Sequence, residues 1–456
     1  MDLCFRLFAF TVTVPPQGFN PVAGTPLEYK GISGQGIELQ HRPHQALGNA
    51  PTCAGNSSKI CYITMGLDTV AHIETRRYDL DWLRIIAFGL LILYHVGMFF
   101  VSWDFHVKSI HAGVAIEPLM KLVNPWRMSI LFIISGVAVR YAMDKAPIGR
   151  FIWKRFWRLF IPLLFGMLVI VAPQSWLELL EKGEITSPFL EFYVTYLSAS
   201  TEYSIIVPTW NHLWYLAYLI VYTVILALFS PITKRLSSRN SEIATPDRNK
   251  SGLILFFVWF IPTMIFAFHE NWLDNIFPTT HALVDDWGTH LLYFPLMFLA
   301  FVFAKSVRIW NAIDRLFMPS LIAVFLLAIW QLFVWSLTAD DIDGMPYIEL
   351  LAFFHSMAEP VYAWSAIIVM FKLSKRFPNR SSPKLSYMTE AIFSWYILHQ
   401  TLIIISGYWL TRQGLPVAIE AFLIILITVL SCALLHDYII RHNRYLRPLF
   451  GLKQKQ

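Results

Sequence analysis

Apolar residues along this chain gather into long runs and do not alternate with polar ones. Ten segments stand out, some with a polar interruption: 82–102, 126–141, 156–172, 212–231, 252–268, 288–304, 316–337, 347–371, 387–410 and 416–440. A run of about 20 apolar residues crosses the hydrocarbon core as a helix. Most of these runs show no two-residue period, and they are too long for barrel strands. In lipid, only hydrogen bonding within the helix satisfies their backbone. The pattern predicts an all-α polytopic membrane protein with about ten transmembrane helices.

The polar residues between the runs set an orientation. Basic residues crowd alternate loops: Lys145, Arg150, Lys154 and Arg155; Lys234, Arg235, Arg239, Arg248 and Lys250; Lys305, Arg308 and Arg315; Lys372, Lys375, Arg376, Arg380 and Lys384; and Arg441, Arg444, Arg447, Lys453 and Lys455 at the end. The opposite loops are acidic, with Glu178, Glu181 and Glu184, then Asp274, Asp285 and Asp286, then Asp340, Asp341 and Asp343. The positive-inside rule puts the basic loops in the cytoplasm. An even number of spans then makes both termini cytoplasmic, with Arg76 and Arg77 inside.

Composition agrees. Of 456 residues, 56% are hydrophobic and 14% charged, which excludes an ordinary soluble domain. The net charge of +6 follows the loop alternation, so it does not indicate a nucleic-acid partner. The four cysteines (Cys4, Cys53, Cys61 and Cys432) form no CxxC pair, so no zinc or redox motif is visible and no metal site is expected. Cys53 and Cys61 would pair only in an oxidising compartment, and the predicted topology puts them in the cytoplasm.

The expected organisation is a non-membrane extension over 1–75, a membrane domain over 76–440 and a basic cytoplasmic tail over 441–456. The extension is rich in Pro, Gly, Thr and Asn and lacks a sustained period. Its apolar stretch 3–14 is short and follows Asp2, where a signal peptide carries positive charge. The run from His41 to Asn49 resembles the closing segment of insertion-sequence transposases. Met65 follows, just before Arg76, Arg77 and the first span. Two readings stand side by side: an ordinary disordered tail, or a fusion or start-site artefact preceding a natural start at Met65.

Charged groups inside a span are costly and tend to face a cavity or a partner. The first span carries Asp81, Arg84 and His95. Arg84 and His95 are separated by about 20° beyond three full helical turns and about 16 Å of rise, so they share one stripe. Asp81 lies within pairing reach of Arg84. Snorkelling suffices for Arg84 alone, whereas the pair on one stripe points to function. Arg155 and Arg158 share one face at the head of the third span. Paired guanidinium groups suit phosphate, although interfacial anchoring also accounts for them. His212, Trp214 and Tyr215 open the fourth span, where aromatic side chains belong at the interface. His355 and Glu359 lie one turn apart beside Pro360. The ninth span carries Glu390, Ser394, Tyr396 and His399, and spacing alone assigns none of these a role.

In order, these pieces resemble the acyltransferase-3 family of integral membrane acyltransferases. Its Arg-x10-His motif is matched by Arg84 and His95, with Asp81 as the preceding acid. Arg155 and Arg158 match its Arg-x-x-Arg motif, Ile134-Ser135-Gly136 its small-residue signature, His212 through Leu216 its His-Leu-Trp-Tyr-Leu element, and Tyr396 with His399 its late Tyr-x-x-His. Val137 departs from the Phe often found after that Gly. The loop 103–125 and Trp126-Arg127 look closest to the branch that succinylates periplasmic glucans.

The resemblance implies an acetyl or succinyl donor as acyl-CoA in the cytoplasm, no permanently bound cofactor, and a glycan hydroxyl as acceptor. It implies His95 as base, with Arg84 and Asp81 beside it and Arg155 and Arg158 on the CoA phosphates. His212, Trp214, Glu359, Tyr396 and His399 would line the substrate path. The setting would be the inner membrane, with a periplasmic partner protein for any second transfer step. A secondary transporter or a carrier of lipid-linked sugars is the rival class. The absence of a repeat relating the first five spans to the last five counts against the transporter.

Overall fold

The computed structural model describes residues 77–200, 202–231, 248–337 and 347–454. The extension with Met65, the basic loop with Lys234, Arg235 and Arg239, and the acidic loop with Asp340, Asp341 and Asp343 lie outside the described residues.

The described chain is helical, with no strand among the described residues. Its helices are α1 (Tyr78–Phe100), α2 (Glu117–Met143), α3 (Ile148–Phe165), α4 (Ala172–Glu181), α5 (Phe189–Leu197), α6 (Trp214–Leu228), α7 (Arg248–Phe268), α8 (Trp287–Phe303), α9 (Val307–Arg315), α10 (Phe317–Ser336), α11 (Ile348–Ser374), α12 (Pro383–Leu410), α13 (Val417–Leu434) and the short α14 (Leu446–Leu449), with a further single turn at Asp274–Ile276.

Each predicted span falls on a helix, but the count by length and hydropathy differs. Eight helices are long and apolar enough to cross a membrane, or up to nine if α8 and α9, bent by 117°, form one span. Helix α8 alone has only 17 residues, and α11, although 27 residues long, is diluted by Glu349, His355, Glu359 and Lys372. The second span begins earlier than expected, at Glu117, because α2 continues through Pro125. A proline removes one backbone donor and usually marks a boundary, yet Pro125 lies inside this helix.

Burial sorts the helices. The spans built on α1, α2, α6 and α12 are 61–67% buried, against 11% for α10 and 22% for α7 and α13. The outer helices present Phe256, Phe260, Phe325, Ile329 and Phe422 outward, as a lipid-facing surface requires. Arg84, His95, Ser135, His212 and His399 all lie on these four inner spans.

The basic loops gather at one end. Arg77 lies over the Trp310 ring at 4.2 Å, Lys305 pairs with Asp144 at 2.7 Å, Lys375 pairs with Asp314 at 2.6 Å, and the Tyr78 amide donates to Asn379. At the opposite end, Ser109 donates to Glu420 at 2.7 Å and Arg412 pairs with Glu181 at 2.7 Å. There Lys108 donates to Met98 O at 2.8 Å and Trp103 O at 2.6 Å, closing the last turn of α1. Burial lowers the pKa of this loop ammonium.

Between α3 and α4 the chain makes a π turn, Gly166–Ile170. Such a turn frees backbone carbonyls, which need donors. Tyr196 OH donates to Met167 O at 2.7 Å and Thr401 Oγ1 to Ile170 O at 2.7 Å. A side chain on Gly166 would meet Leu213 Cδ1 at 2.3 Å. That glycine lets α3 approach the turn Asn211–Leu213, which carries His212.

Candidate active site

His95 on α1, His212 on the turn before α6 and His399 on α12 converge. Their ring centres are 4.9 Å apart for His95 and His399, 5.1 Å for His212 and His399, and 6.5 Å for His95 and His212. The sequence treated the first as the base and the other two as path residues; the fold makes them one cluster.

The hydrogen bonds assign the tautomers. His399 Nδ1 lies 2.8 Å from Tyr396 O and 3.2 Å from Trp395 O. Carbonyls only accept, so His399 Nδ1 carries the proton and its Nε2 is an acceptor. That Nε2 lies 3.1 Å from His95 Nδ1, which also lies 2.9 Å from Leu91 O. Both neighbours accept, so His95 Nδ1 is protonated and His95 Nε2 is left as the basic nitrogen. His212 Nε2 donates to Ile397 O at 3.1 Å, and its buried Nδ1 has no partner. Tyr396 OH donates to His212 O at 2.7 Å, tying α12 to that turn.

Toward the basic end, Arg84, Arg155 and Arg158 lie close enough to repel one another. Among the described residues none of them pairs with a carboxylate. Asp79 pairs with Arg77 at 2.7 Å. Arg155 Nε is buried without a partner, whereas Arg158 Nε donates to Gly451 O at 3.1 Å. Beside them Ser135 Oγ and Tyr215 OH are 2.7 Å apart, so two of the sequence elements meet.

The remaining candidates separate. Trp214 is buried and packs on His281, ring centres 4.4 Å apart, and against Tyr218 and Tyr293. Glu359 interacts with Glu270 of the π turn after α7, and nothing among the described residues joins it to the histidines.

Sequence reasoning missed a polar chain beside the cluster. Glu178 Oε2 lies 2.5 Å from His106 Nδ1. His106 Nε2 accepts from Gln400 Nε2 at 2.9 Å, and Gln400 also donates to Gln174 Oε1 at 3.2 Å. Gln174 Nε2 donates to Thr401 at 2.6 Å, and Asn211 donates to Gln174 Oε1 at 3.0 Å. Asn211 and Gln400 adjoin His212 and His399 in sequence. Uncharged amides in apolar runs were the available signal.

A family profile described as "Acyltransferase domain", of the acyltransferase-3 type, matches residues 77–437. The chain belongs to the acyltransferase-3 family. It is thus a membrane enzyme that transfers acyl groups. Curated relatives include Glucans biosynthesis protein C of Escherichia coli O81 (strain ED1a), 24% identical over 345 residues, covering 74% of this chain and 84% of the relative. The same protein of Escherichia coli (strain UTI89 / UPEC) is 24% identical over 346 residues, again covering 74% and 84%. No solved structure matches the chain. The family match spans both the histidine cluster and the arginine cluster.

Proposed function

We propose that this acyltransferase takes an acyl group, acetyl or succinyl, from acyl-CoA at the basic end of the bundle, the cytoplasmic one. It passes the group to a hydroxyl of a glycan or other cell-envelope acceptor at the inner membrane. The observation that carries the reading is His95: its Nδ1 is committed to Leu91 O and His399, so Nε2 is the free base. The glycan acceptor is suggested by the printed name of the relatives, which concerns glucan biosynthesis.

In the step, the acceptor oxygen attacks the thioester carbonyl. A C–O bond forms, the C–S bond breaks, and the hydroxyl proton passes to His95 Nε2 and on to the departing thiolate. A positioned histidine base contributes roughly 10²–10⁴-fold. The acceptor nitrogen of His399 faces the Nδ1–H of His95 and favours the imidazolium while it carries the extra proton. Arg155 and Arg158 hold the CoA phosphates, and Arg84 lies on the path to His95. A periplasmic partner would serve any second transfer.

The test uses purified full-length protein in lipid, radiolabelled acetyl- and succinyl-CoA, and a glucan acceptor. Covalently labelled glucan is expected. Label crossing the bilayer without attachment would make the protein a carrier.

A further inference from the structure

The chain of hydrogen bonds that begins at His106 has no part in the steps above. His106 lies in the loop after α1, at the end away from the basic loops. Its side chain is 20% exposed, so protons from that side reach it, whereas Gln174 and Gln400 are buried. Against the imidazole, α4 presents Glu178, which also takes Lys182 at 2.7 Å. The turn before α6 presents His212, close enough to act on it electrostatically. Helix α12 presents the uncharged Gln400. In its own loop Phe105 packs on the ring, centres 5.2 Å apart. The charged neighbours in that loop are Asp104 and Lys108, the latter bonded to the carbonyls of Met98 and Trp103.

A backbone carbonyl fixes the direction of every bond in this chain. Ile170 O only accepts, so it takes the Thr401 proton at 2.7 Å. Thr401 Oγ1 then accepts, and the Gln174 atom facing it at 2.6 Å is the amide nitrogen. The other end of that amide is oxygen, so Gln400 turns its nitrogen to it, 3.2 Å away. The same Gln400 nitrogen lies 2.9 Å from His106 Nε2, which therefore accepts. His106 carries its one proton on Nδ1, toward Glu178 Oε2 at 2.5 Å. A second proton, on Nε2, sets donor against donor. Turning the Gln400 amide cures that contact but sets its oxygen against the Gln174 oxygen. Turning Gln174 as well sets its nitrogen against Asn211, which donates to it at 3.0 Å. It also draws the Thr401 proton away from Ile170 O, a carbonyl freed by the π turn. No arrangement takes up the proton and keeps every bond.

The chain ends on the elements that carry the site. Gln400 follows His399 on α12, and Asn211 precedes His212. We propose that His106 is a positioning residue for acyl transfer: neutral, it holds the His212 and His399 segments in place through the amide chain, and its protonation breaks that chain and slows the reaction. This rests on the acyl-transfer reading and adds a response to acidity on the side away from the basic loops. Histidine is the side chain that changes charge between pH 5 and 8.

The test follows transfer by the full-length protein in lipid, with acetyl- or succinyl-CoA and a neutral glucan, from about pH 7.5 down to about pH 5.5. Over this range the parent should lose roughly fivefold to a hundredfold more kcat than His106→Gln, as for one buried group left without its bond. KM for the donor should change little. The Gln variant offers Gln400 an amide oxygen that stays neutral here. His106→Leu offers none and should be slow at every pH. Titration of the His95 base is common to all three proteins and cancels in the comparison. Equal pH profiles for the parent and His106→Gln overturn the proposal. So does a Leu variant as fast as the parent near neutrality, or a difference carried by KM. Hydrogen exchange on the parent gives a reading that needs neither transfer nor a variant. Corrected for the intrinsic effect of pH, protection around His212 and His399 should fall on acidification while that of α10 holds. Protection that is unchanged, or that falls everywhere alike, overturns the proposal. If no acyl group moves at all, the acyl-transfer reading fails separately, and exchange alone judges the chain.

Discussion

His399 Nε2 lies 3.1 Å from His95 Nδ1, so residues 304 positions apart in sequence share one hydrogen bond at the centre of the site. The bond fixes the His95 ring and directs its basic character to Nε2. His95→Gln, measured on correctly inserted protein, should lose transfer by roughly 10²–10⁴-fold while donor binding stays nearly normal. Gln keeps a similar size but cannot accept the proton. Substantial residual transfer would take the base out of the mechanism.

On the proposed mechanism His399 acts through His95, with which it shares a hydrogen bond. Replacing it by Leu removes one hydrogen bond, worth about 1 kcal/mol and so roughly a five-fold loss in kcat, with KM for the donor little changed. The kcat–pH profile should shift with it, because the acceptor that favours the charged His95 is gone. A loss confined to the amount of folded protein would reduce His399 to a packing residue.

Arg155→Ala combined with Arg158→Ala should weaken acyl-CoA binding. Each charged hydrogen bond contributes roughly 1.5–3 kcal/mol, or about tenfold to a hundredfold. Insertion should survive, since Lys154 and Trp157 remain at the interface. Unchanged CoA binding with failed insertion would mean that the pair only anchors the helix.

The orientation is open to direct measurement. Reporter fusions after Lys234, Lys375 and Gln456 should read cytoplasmic, and fusions near Asp285 and Asp341 should read on the other side. A chain that begins at Met65 should insert and work as the full one does. Loss of activity in that shorter chain would make the extension part of the working protein.

Much of the fold was legible because lipid is a simple solvent: length and apolarity alone mark a span. Span edges were less so, since α2 runs through Pro125 and three helices continue into π turns at Gly166–Ile170, His269–Leu273 and Leu435–Ile440. The stripe of Arg84 and His95 follows from helix geometry within one segment. The convergence of His212 and His399 on His95 depends on which helices are neighbours, and no periodicity reports that. The His106–Glu178 pair was hidden for the same reason, one partner lying in a loop and the other at the end of α4.

The bond from Arg158 to Gly451 O ties an element of the third predicted span to a carbonyl 293 residues later. Gly451 has a φ of +65°, which suits glycine, and a side chain there would meet Phe393 Cε1 at 2.3 Å. Phe450 packs on Phe165 alongside, ring centres 5.5 Å apart. Residues 293 positions apart meet only when the helices that carry them have packed together, so the placement of Arg158 reports on the assembled bundle. Loosening that packing would free the arginine without any change in its own helix.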